Sequence, residues 1–253
     1  MKITVIVPTY NEKSKIGLVI DALEKEFRSV NNHQAGILVV DGNSSDGTLD
    51  IVREKSKEYS NVELLIEKEK RGLGMAYIEG MNYAMNVLKT DAFIEFDGDF
   101  QHDPADVPRL IRELDNGYDY VIGSRYVPGG KIPSAWGLHR KILSRFGSLF
   151  VKILLGLKTN DNTSGLKLSR VKNFAEKLPL DGNKILSKRY AYKVHLLYEM
   201  AALGAKIKEI PIVFLEREGG VSKSSVKDVI DTLRVACVLF LRKIKRVFGG
   251  NAA

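Results

Sequence analysis

Short apolar runs alternate with amphipathic stretches along the first half of the chain. The runs are rich in Val and Ile and too short for helices, which is typical of buried strands in a parallel sheet. After the first run, apolar residues recur at helical spacing, at Ile16, Val19, Ile20, Leu23 and Phe27. We predict strands over residues 3–7, 37–40, 62–66, 92–96 and 120–123, and helices over residues 14–30, 46–59, 74–88 and 104–116.

The second half is less regular. Its patterns predict helices over residues 139–157, 191–203 and 226–248, a strand over 206–214, and a loop with a short strand over 160–170. The regular alternation of strands and helices in the first half predicts an α/β fold. We expect a Rossmann-like, mostly parallel central sheet with helices on both faces and right-handed crossovers.

Polar loops follow each of the first five predicted strands. They read "PTYNEKS", "DGNSSDGT", "EKEKRGLG", "DGDFQHDP" and "GSRYVPGG". In open α/β sheets, ligands bind beyond the carboxyl ends of the strands. Five such loops on one edge of the sheet predict an assembled binding site there.

The fourth of these loops gathers acidic residues. Asp103 and Pro104 are explained as the start of the next helix. Two roles are open for Asp97 and Asp99. They either hydrogen-bond to the backbone at the strand end, as a capping acid does, or share a divalent cation, with Gln101 or His102 as a further ligand. Carboxylate oxygens suit hard cations such as Mg²⁺ and Mn²⁺. We favour the metal site, and the sequence gives no role for Glu95.

The balance of charges indicates which classes of binding partner to expect. The chain of 253 residues carries 39 Lys and Arg against 31 Asp and Glu, a net charge of +8 that indicates an anionic partner. No stripe of aromatic residues interleaved with Lys and Arg is visible, so we do not predict nucleic-acid binding. The single cysteine, Cys237, excludes an internal disulfide.

Two segments place apolar residues beside basic ones. No apolar run reaches the ~18 residues that a spanning helix requires. Residues 146–157 and 235–248 suit peripheral contact with an anionic membrane surface, although ordinary core packing is an equal alternative. Trp136 is either a core residue or an interfacial anchor.

Seven motifs occur in an order that identifies a family. "TVIVPTYNE", "VVDGNSSDGT", "RGLGMAY", "DGDFQH", "GSRYVPGG", "DNTSGLK" and "FLEREGGVSK" resemble the family-2 inverting glycosyltransferases, and in particular the polyprenol-phosphate (dolichol-phosphate) mannose synthases. The resemblance covers residues 3–225 and implies an A-type glycosyltransferase fold that binds a nucleoside diphosphate sugar. One departure is Gly42, which stands where the family often has a second acid.

The resemblance also implies roles for individual residues. It assigns nucleotide binding to Pro8, Tyr10, Glu12, Asp41, Gly72, Asp97, Gly98 and Asp99, and the metal to Asp97, Asp99 and Gln101. It assigns the acceptor and donor phosphates to Arg125, Ser164, Arg217 and Lys223. One of Arg140 and Arg145 is expected to join them, and we favour Arg140. Asp99, Arg125 and Arg217 are the expected catalytic residues, and Mg²⁺ or Mn²⁺ is the expected cofactor.

The acceptor of such an enzyme decides what its site must supply. A lipid phosphate has a second pKa near ~6, so it is an anionic nucleophile at neutral pH and requires no general base. Its approach to an anionic donor requires cations. The resemblance implies transfer of mannose from GDP-mannose to a polyprenyl (dolichyl) phosphate, and the basic residues of the second half fit that acceptor. The alternatives are a UDP-glucose-dependent dolichyl-phosphate glucosyltransferase, a transferase that acts on a saccharide, and a non-catalytic subunit.

The same resemblance suggests how the chain is organised. We expect a catalytic domain over residues 1–225, with a nucleotide-sugar half over 1–130 and an acceptor half over 131–225. Residues 226–253 are expected to form an amphipathic, membrane-associating helix. The expected location is peripheral, on the cytoplasmic face of a membrane, and a membrane partner subunit is a further expected partner.

Overall fold

The computed structural model describes residues 1–216 and 226–248. These residues form a single seven-stranded sheet with flanking helices. The strands are β1 (Lys2–Thr9), β2 (Gln34–Asp41), β3 (Val62–Ile66), β4 (Ala92–Glu95), β5 (Tyr120–Ser124), β6 (Lys167–Arg170) and β7 (Ile207–Pro211). The α-helices are α1 (Ile16–Phe27), α2 (Thr48–Glu58), α3 (Leu73–Asn86), α4 (Asp106–Asp115), α5 (Leu138–Leu155), α6 (Tyr192–Ala202) and α7 (Val226–Phe248).

The strand order is β3-β2-β1-β4-β6-β5-β7. All neighbours are parallel except β6, which runs antiparallel to both β4 and β5. The insertion of β6 places Lys167 opposite Glu95 and brings the loop before β6 to the carboxyl end of β4. The predicted α/β class with a mostly parallel sheet is confirmed.

Alternate strand residues face two separate apolar cores. Ile6, Leu38 and Val40 face one core, which α3, α5, α6 and α7 cover. Val5 and Val39 face the opposite core, which is covered mainly by α1 and α4. This alternation follows from the pleat of a strand, whose successive side chains point to opposite faces. Helices on both faces explain why the parallel strands are apolar throughout.

Most boundaries differ from the sequence-based expectation by a few residues, and two of the differences have a clear physical cause. The last strand ends at Pro211, which has no N–H to donate to the ladder, and Val213 then pairs with Lys131 only as an isolated bridge. Helix α5 ends at Leu155 because Gly156 takes a left-handed conformation with φ of 69°.

Helix α5 exposes an apolar stripe. Ile142, Phe146 and Ile153 are 51%, 67% and 73% exposed. Their spacing of four and seven residues keeps them on one face of the helix. Within the described ranges, none of the helices combines the length and apolarity that crossing a bilayer requires.

Candidate active site

The acidic loop begins where β4 ends. Phe100 has a φ of 61°, a left-handed conformation that is rare for a bulky residue. The turn that it makes lets the backbone N–H of Gln101 donate to Asp99 Oδ1 at 3.1 Å. Ala105 N–H in turn donates to Asp103 Oδ1 at 2.9 Å, which fits the helix-start role predicted for Asp103. The loop thus separates a capping acid from the two that precede it.

Asp97 is partly buried, within a ring of three buried polar side chains. Tyr77 Oη donates to Asp97 Oδ1 at 2.7 Å, while Lys193 Nζ and His102 Nε2 lie 3.6 and 3.8 Å from Asp97 Oδ2. Burial raises the pKa of Asp97, but the charge of Lys193 and the bond from Tyr77 outweigh it, and the pKa falls below its usual range. Asp97 is therefore held as a carboxylate.

Gly165 is the residue that lets this ring close. A Cβ atom at this position would lie 2.6 Å from Asp97 Oδ2, 2.7 Å from His102 Nε2 and 3.0 Å from Lys193 Nζ. Any side chain would displace the carboxylate or the imidazole. The glycine of "NTSG" is thus explained by close packing against the acidic loop, because the antiparallel direction of β6 brings the loop before it to this place.

His102 is a buried imidazole. Neither of its ring nitrogens has a hydrogen-bond partner among the described residues. Burial lowers the pKa of His102 to about 4, so the ring is neutral at physiological pH. Its edge packs against Phe214 with the ring centroids 5.0 Å apart.

Glu95 had no predicted role, and it belongs to a second buried layer beneath Asp97. Tyr192 Oη donates to Glu95 Oε2 at 2.5 Å, and Lys167 is its partner on β6. Burial raises the pKa of Glu95 and lowers the pKa of Lys167 to about 8. Lys167 Nζ donates to the backbone oxygen of Lys193 at 3.1 Å, so this layer supports the residue that faces Asp97.

The predicted base loop lies at the ends of β1 and β2. Asp41 is fully buried, and its carboxylate accepts from Thr9 Oγ1, Ser44 Oγ and Ser44 N at 2.7–2.8 Å. Tyr10 lies beside it with Lys70 Nζ 3.4 Å from the ring centroid. Asp41 thus shapes the loop that follows β2. The backbone N–H of Glu12 donates to Thr48 Oγ1 at 3.0 Å, which ties the first loop to α2.

Three glycines meet neighbouring segments closely. A Cβ on Gly98 would lie 3.0 Å from Val7 Cγ1 and 3.6 Å from the carbonyl oxygen of Pro8, so the first and fourth loops touch there. Gly72, with φ of 106°, and Gly74 face the backbone of residues 188–189 at the start of α3. A Cβ on either of the latter two would approach a carbonyl oxygen to 2.7 Å. The structure thus gives Gly72 a packing role.

The predicted phosphate-binding arginines lie on the other side of the acidic loop. Arg125 is mostly buried and paired with Asp161, and its Nη2 also donates to Thr163 Oγ1 at 2.9 Å. Arg140 stacks on Trp136, with Cζ 3.9 Å from the ring centroid. Burial and then the charge of Arg125 lower the pKa of Arg140, since the two cations lie close enough to repel each other.

The resemblance assigns three further residues to the phosphates. Ser164 Oγ donates to the carbonyl oxygen of Gly123 at 2.5 Å, so its proton is used within the fold. Arg217 and Lys223 lie outside the described residues. Trp136 packs edge-on against Phe214, which also contacts His102, so an aromatic chain joins Arg140 to the acidic loop.

The sequence model of Glycosyl transferase family 2 matches residues 4–177 of the chain. The chain belongs to this family. It is 38% identical over 225 residues to the undecaprenyl-phosphate mannosyltransferase of Micrococcus luteus, covering 89% of this chain and 88% of that protein. It is 34% identical over 230 residues to the polyprenol monophosphomannose synthase of Mycolicibacterium smegmatis, covering 90% and 83%.

Solved structures share the fold of this family-2 chain. Glucosyl-3-phosphoglycerate synthase from Mycobacterium tuberculosis, solved with Mn²⁺, UDP and glucosyl-3-phosphoglycerate, superposes with a TM-score of 0.65 at 17% identity, covering 95% of this chain and 79% of that one. A mannosyltransferase from Pyrobaculum calidifontis, solved with GDP-Man and Mn²⁺, gives 0.52 at 18% identity, covering 96% and 64%. The predicted family and its A-type glycosyltransferase fold are confirmed.

The acidic loop of this family-2 site fits a hard divalent cation. Asp97 is held as a carboxylate, and Asp99 and Gln101 add oxygen atoms from the same turn. Within residues 1–216 and 226–248, no three His, Cys, Asp or Glu side chains cluster as a complete metal site. Such an arrangement suits Mg²⁺ or Mn²⁺, which take one or two carboxylates and complete their shells with substrate phosphates and water.

Sequence reasoning missed three residues that the family-2 site brings together. Lys193 and Tyr77 contact Asp97 from α6 and α3, and Asp161 pairs with Arg125. Lys193 carried a signal, because it is a charged residue within the apolar stretch "YAYKVHLL". Asp161 stands inside the motif "DNTSG", whose acid had no assigned partner.

Proposed function

We propose that this family-2 enzyme transfers mannose from GDP-mannose to a polyprenyl phosphate, with inversion and with Mg²⁺ or Mn²⁺ bound. The observation that carries the proposal is the likeness, over about nine-tenths of the chain, to two mannosyltransferases whose names give a polyprenyl substrate or product. The ring around Asp97 and the arginines beside it supply groups that this reaction requires.

The donor lies, in this proposal, beyond the carboxyl ends of β1, β2 and β4. Asp97 and Asp99, with Gln101, would hold the cation, which supplies charge neutralisation for the diphosphate leaving group. Lys193 keeps Asp97 ionised, and Gly165 keeps the ring around it closed. These residues fix charges in place before the substrate arrives. Charges fixed in this way need no reorganisation during the reaction.

The acceptor phosphate is attracted by cations on the opposite side of the acidic loop. Asp161 already neutralises Arg125, so Arg125 contributes directed N–H groups more than net charge. Net positive charge at the acceptor comes from Arg140 and, as predicted from the resemblance, from Arg217 and Lys223. The phosphate oxygen bonds to the anomeric carbon while the bond from that carbon to the diphosphate oxygen breaks, and no proton need move.

The exposed stripe of α5 gives the enzyme a route to a lipid substrate. Ile142, Phe146 and Ile153 project from the helix that also carries Arg140 and Arg145. An apolar face flanked by basic residues suits an anionic bilayer surface. We propose peripheral association through this face, on the cytoplasmic side. The membrane partner subunit and the division at residue 225 stay predictions.

A donor and acceptor assay tests the proposed function. The full chain is incubated with Mn²⁺ and a short-chain polyprenyl phosphate, together with labelled GDP-mannose or UDP-glucose. We expect labelled lipid from GDP-mannose and little from UDP-glucose. Label from UDP-glucose alone would support the glucosyltransferase alternative. Label from neither donor would overturn the proposal.

A further inference from the structure

Glu67 is a buried carboxylate with an unused oxygen. It directly follows β3, and its side chain is 2% exposed. Its Oε1 has no hydrogen-bond partner among the described residues; Arg71 forms an ion pair with it, but Nη2 lies 3.6 Å away, beyond hydrogen-bond distance. A buried acceptor without a partner costs stability, so such a group calls for an explanation.

Glu67 lies at the carboxyl ends of three adjacent strands, β1, β2 and β3. Backbone bonds from Glu67 N to Asp41 O, at 2.8 Å, and from Gly42 N to Thr9 O, at 3.0 Å, hold the three loops side by side. A Cβ on Gly42 would lie 3.7 Å from Glu67 Oε2 and 3.3 Å from Tyr10 Cδ2. Gly42 therefore lies between the phenol ring and the carboxylate, within contact distance of both.

We propose that Glu67 is the residue that selects guanine, by accepting hydrogen bonds from the N1–H and 2-amino groups of the base. The proposal rests on the proposed GDP-linked donor and names the residue that makes that choice. The ring of Tyr10 offers the neighbouring surface on which a base can stack. Glu67 is a specificity-determining residue here and takes no part in the chemical step.

The chemistry of the bases explains the selection. An ionised carboxylate only accepts hydrogen bonds, and it has two oxygens side by side. Guanine presents two adjacent donors, which match both oxygens. Uracil presents one N–H between two carbonyl groups, one of which would face the second carboxylate oxygen. Hypoxanthine keeps the N1–H and lacks only the 2-amino group, so it isolates one of the two proposed bonds.

Nucleotide binding by the full chain tests the proposal. Isothermal titration in the presence of Mn²⁺ compares GDP, IDP and UDP for the wild type, Glu67→Gln and Glu67→Asp. Hydrogen bonds to charged groups are among the stronger ones, so we expect wild type to bind GDP about tenfold or more tightly than IDP. Both variants should bring that ratio close to one. Glu63→Gln, an exposed change on β3, should leave the ratio unchanged.

The outcomes separate the two proposals. A purely structural role for Glu67 would weaken GDP and IDP equally, leave their ratio intact in the variants, and overturn the inference. A wild-type ratio near one would overturn it without any variant. Tighter binding of UDP than of GDP by the wild type would overturn the proposed donor itself. If the wild type prefers GDP and both variants keep its GDP to IDP ratio, the proposed donor remains supported and only the role of Glu67 is rejected.

Discussion

Arg125 and Asp161 form a two-point ion pair across the site: Arg125 Nε and Nη2 donate to Asp161 Oδ2 and Oδ1, each at 2.7 Å. The Arg125 backbone N–H also donates to Asp161 Oδ2 at 2.9 Å. Asp161 is completely buried. The pair fixes the "GSRY" loop to the "DNTSG" loop and orients an arginine that the resemblance places at the phosphates.

Removal of Asp161 should destabilise the protein strongly. Asp161→Asn leaves Arg125 buried without its counter-charge, and breaking a buried pair costs about 3–5 kcal/mol. Burial raises the pKa of Asp161, but Arg125 outweighs it and the pKa lies below its usual value of 3.8. The carboxylate's stabilising contribution is therefore complete above about pH 4 and is lost as pH falls through the lower folded-state pKa. Urea unfolding at pH 7 and in this acidic range measures both effects.

A surface pair supplies the control for this experiment. Asp50 pairs with Arg53 on α2, and both side chains are more than half exposed. Asp50→Asn should change the free energy of unfolding by less than about 1 kcal/mol. Equal effects of the two substitutions would contradict the importance of the buried pair.

Gly165→Ala should disrupt the ring around Asp97. The new methyl group would lie 2.6 Å from Asp97 Oδ2, so we expect a loss of about 1–3 kcal/mol in stability and a large fall in transfer. Among the described residues, apart from the backbone of α5 itself and the two chain neighbours, no atom lies within 4 Å of the Cβ position of Gly147 on α5. Gly147→Ala should therefore keep activity and stabilise the helix slightly. Thermal melting and mannosyl transfer are measured for both, and retention of full activity by Gly165→Ala would refute the packing argument.

Asp99→Asn should abolish metal-dependent transfer and leave the fold intact. Loss of an electrostatic group of this kind typically lowers kcat by about 10²–10³. Asp103→Asn is the matched change in the same loop, on an acid whose carboxylate accepts from Ala105 N. It should leave turnover close to that of the wild type. Initial rates across a Mn²⁺ titration, with circular dichroism as the fold check, measure this, and near-normal rates for Asp99→Asn would remove it from the metal site.

Phe146→Glu should weaken membrane association. Phe146 is 67% exposed at the middle of the α5 stripe, so a negative charge there opposes insertion and repels anionic lipid. Leu18 on α1 is 62% exposed on another part of the surface, and Leu18→Glu is the control. Co-sedimentation with vesicles that contain phosphatidylglycerol should fall for Phe146→Glu only. Equal binding by both variants would place the membrane contact elsewhere.

The order of strands and helices could be predicted because its signals are local. The runs at β1 to β5 and the helical spacing of Ile16, Val19, Ile20 and Leu23 each lie within one element. The position of β6 could not be predicted in this way. The segment "LKLSR" carries no local signal that β6 pairs antiparallel with β4 and β5, because strand pairing depends on residues that are distant in the sequence.

The residues of the candidate site also fall into two groups, those that could be predicted from the sequence and those that could not. Asp97, Asp99 and Gln101 belong to one short motif, so their chemistry could be proposed from residue type and spacing alone. The partners that tune this chemistry come from other elements. Lys193 arrives on α6, Tyr77 on α3 and Gly165 on the loop before β6.

The sequence by itself determined the family, the α/β class and the acids at the end of β4. It did so because period, composition and motif order are properties of contiguous residues. Only the tertiary structure decided that Lys193 faces Asp97, that Asp161 neutralises Arg125 and that Glu67 keeps an unused oxygen. Burial and pairing between distant residues set those charges, and both exist only once the chain has folded.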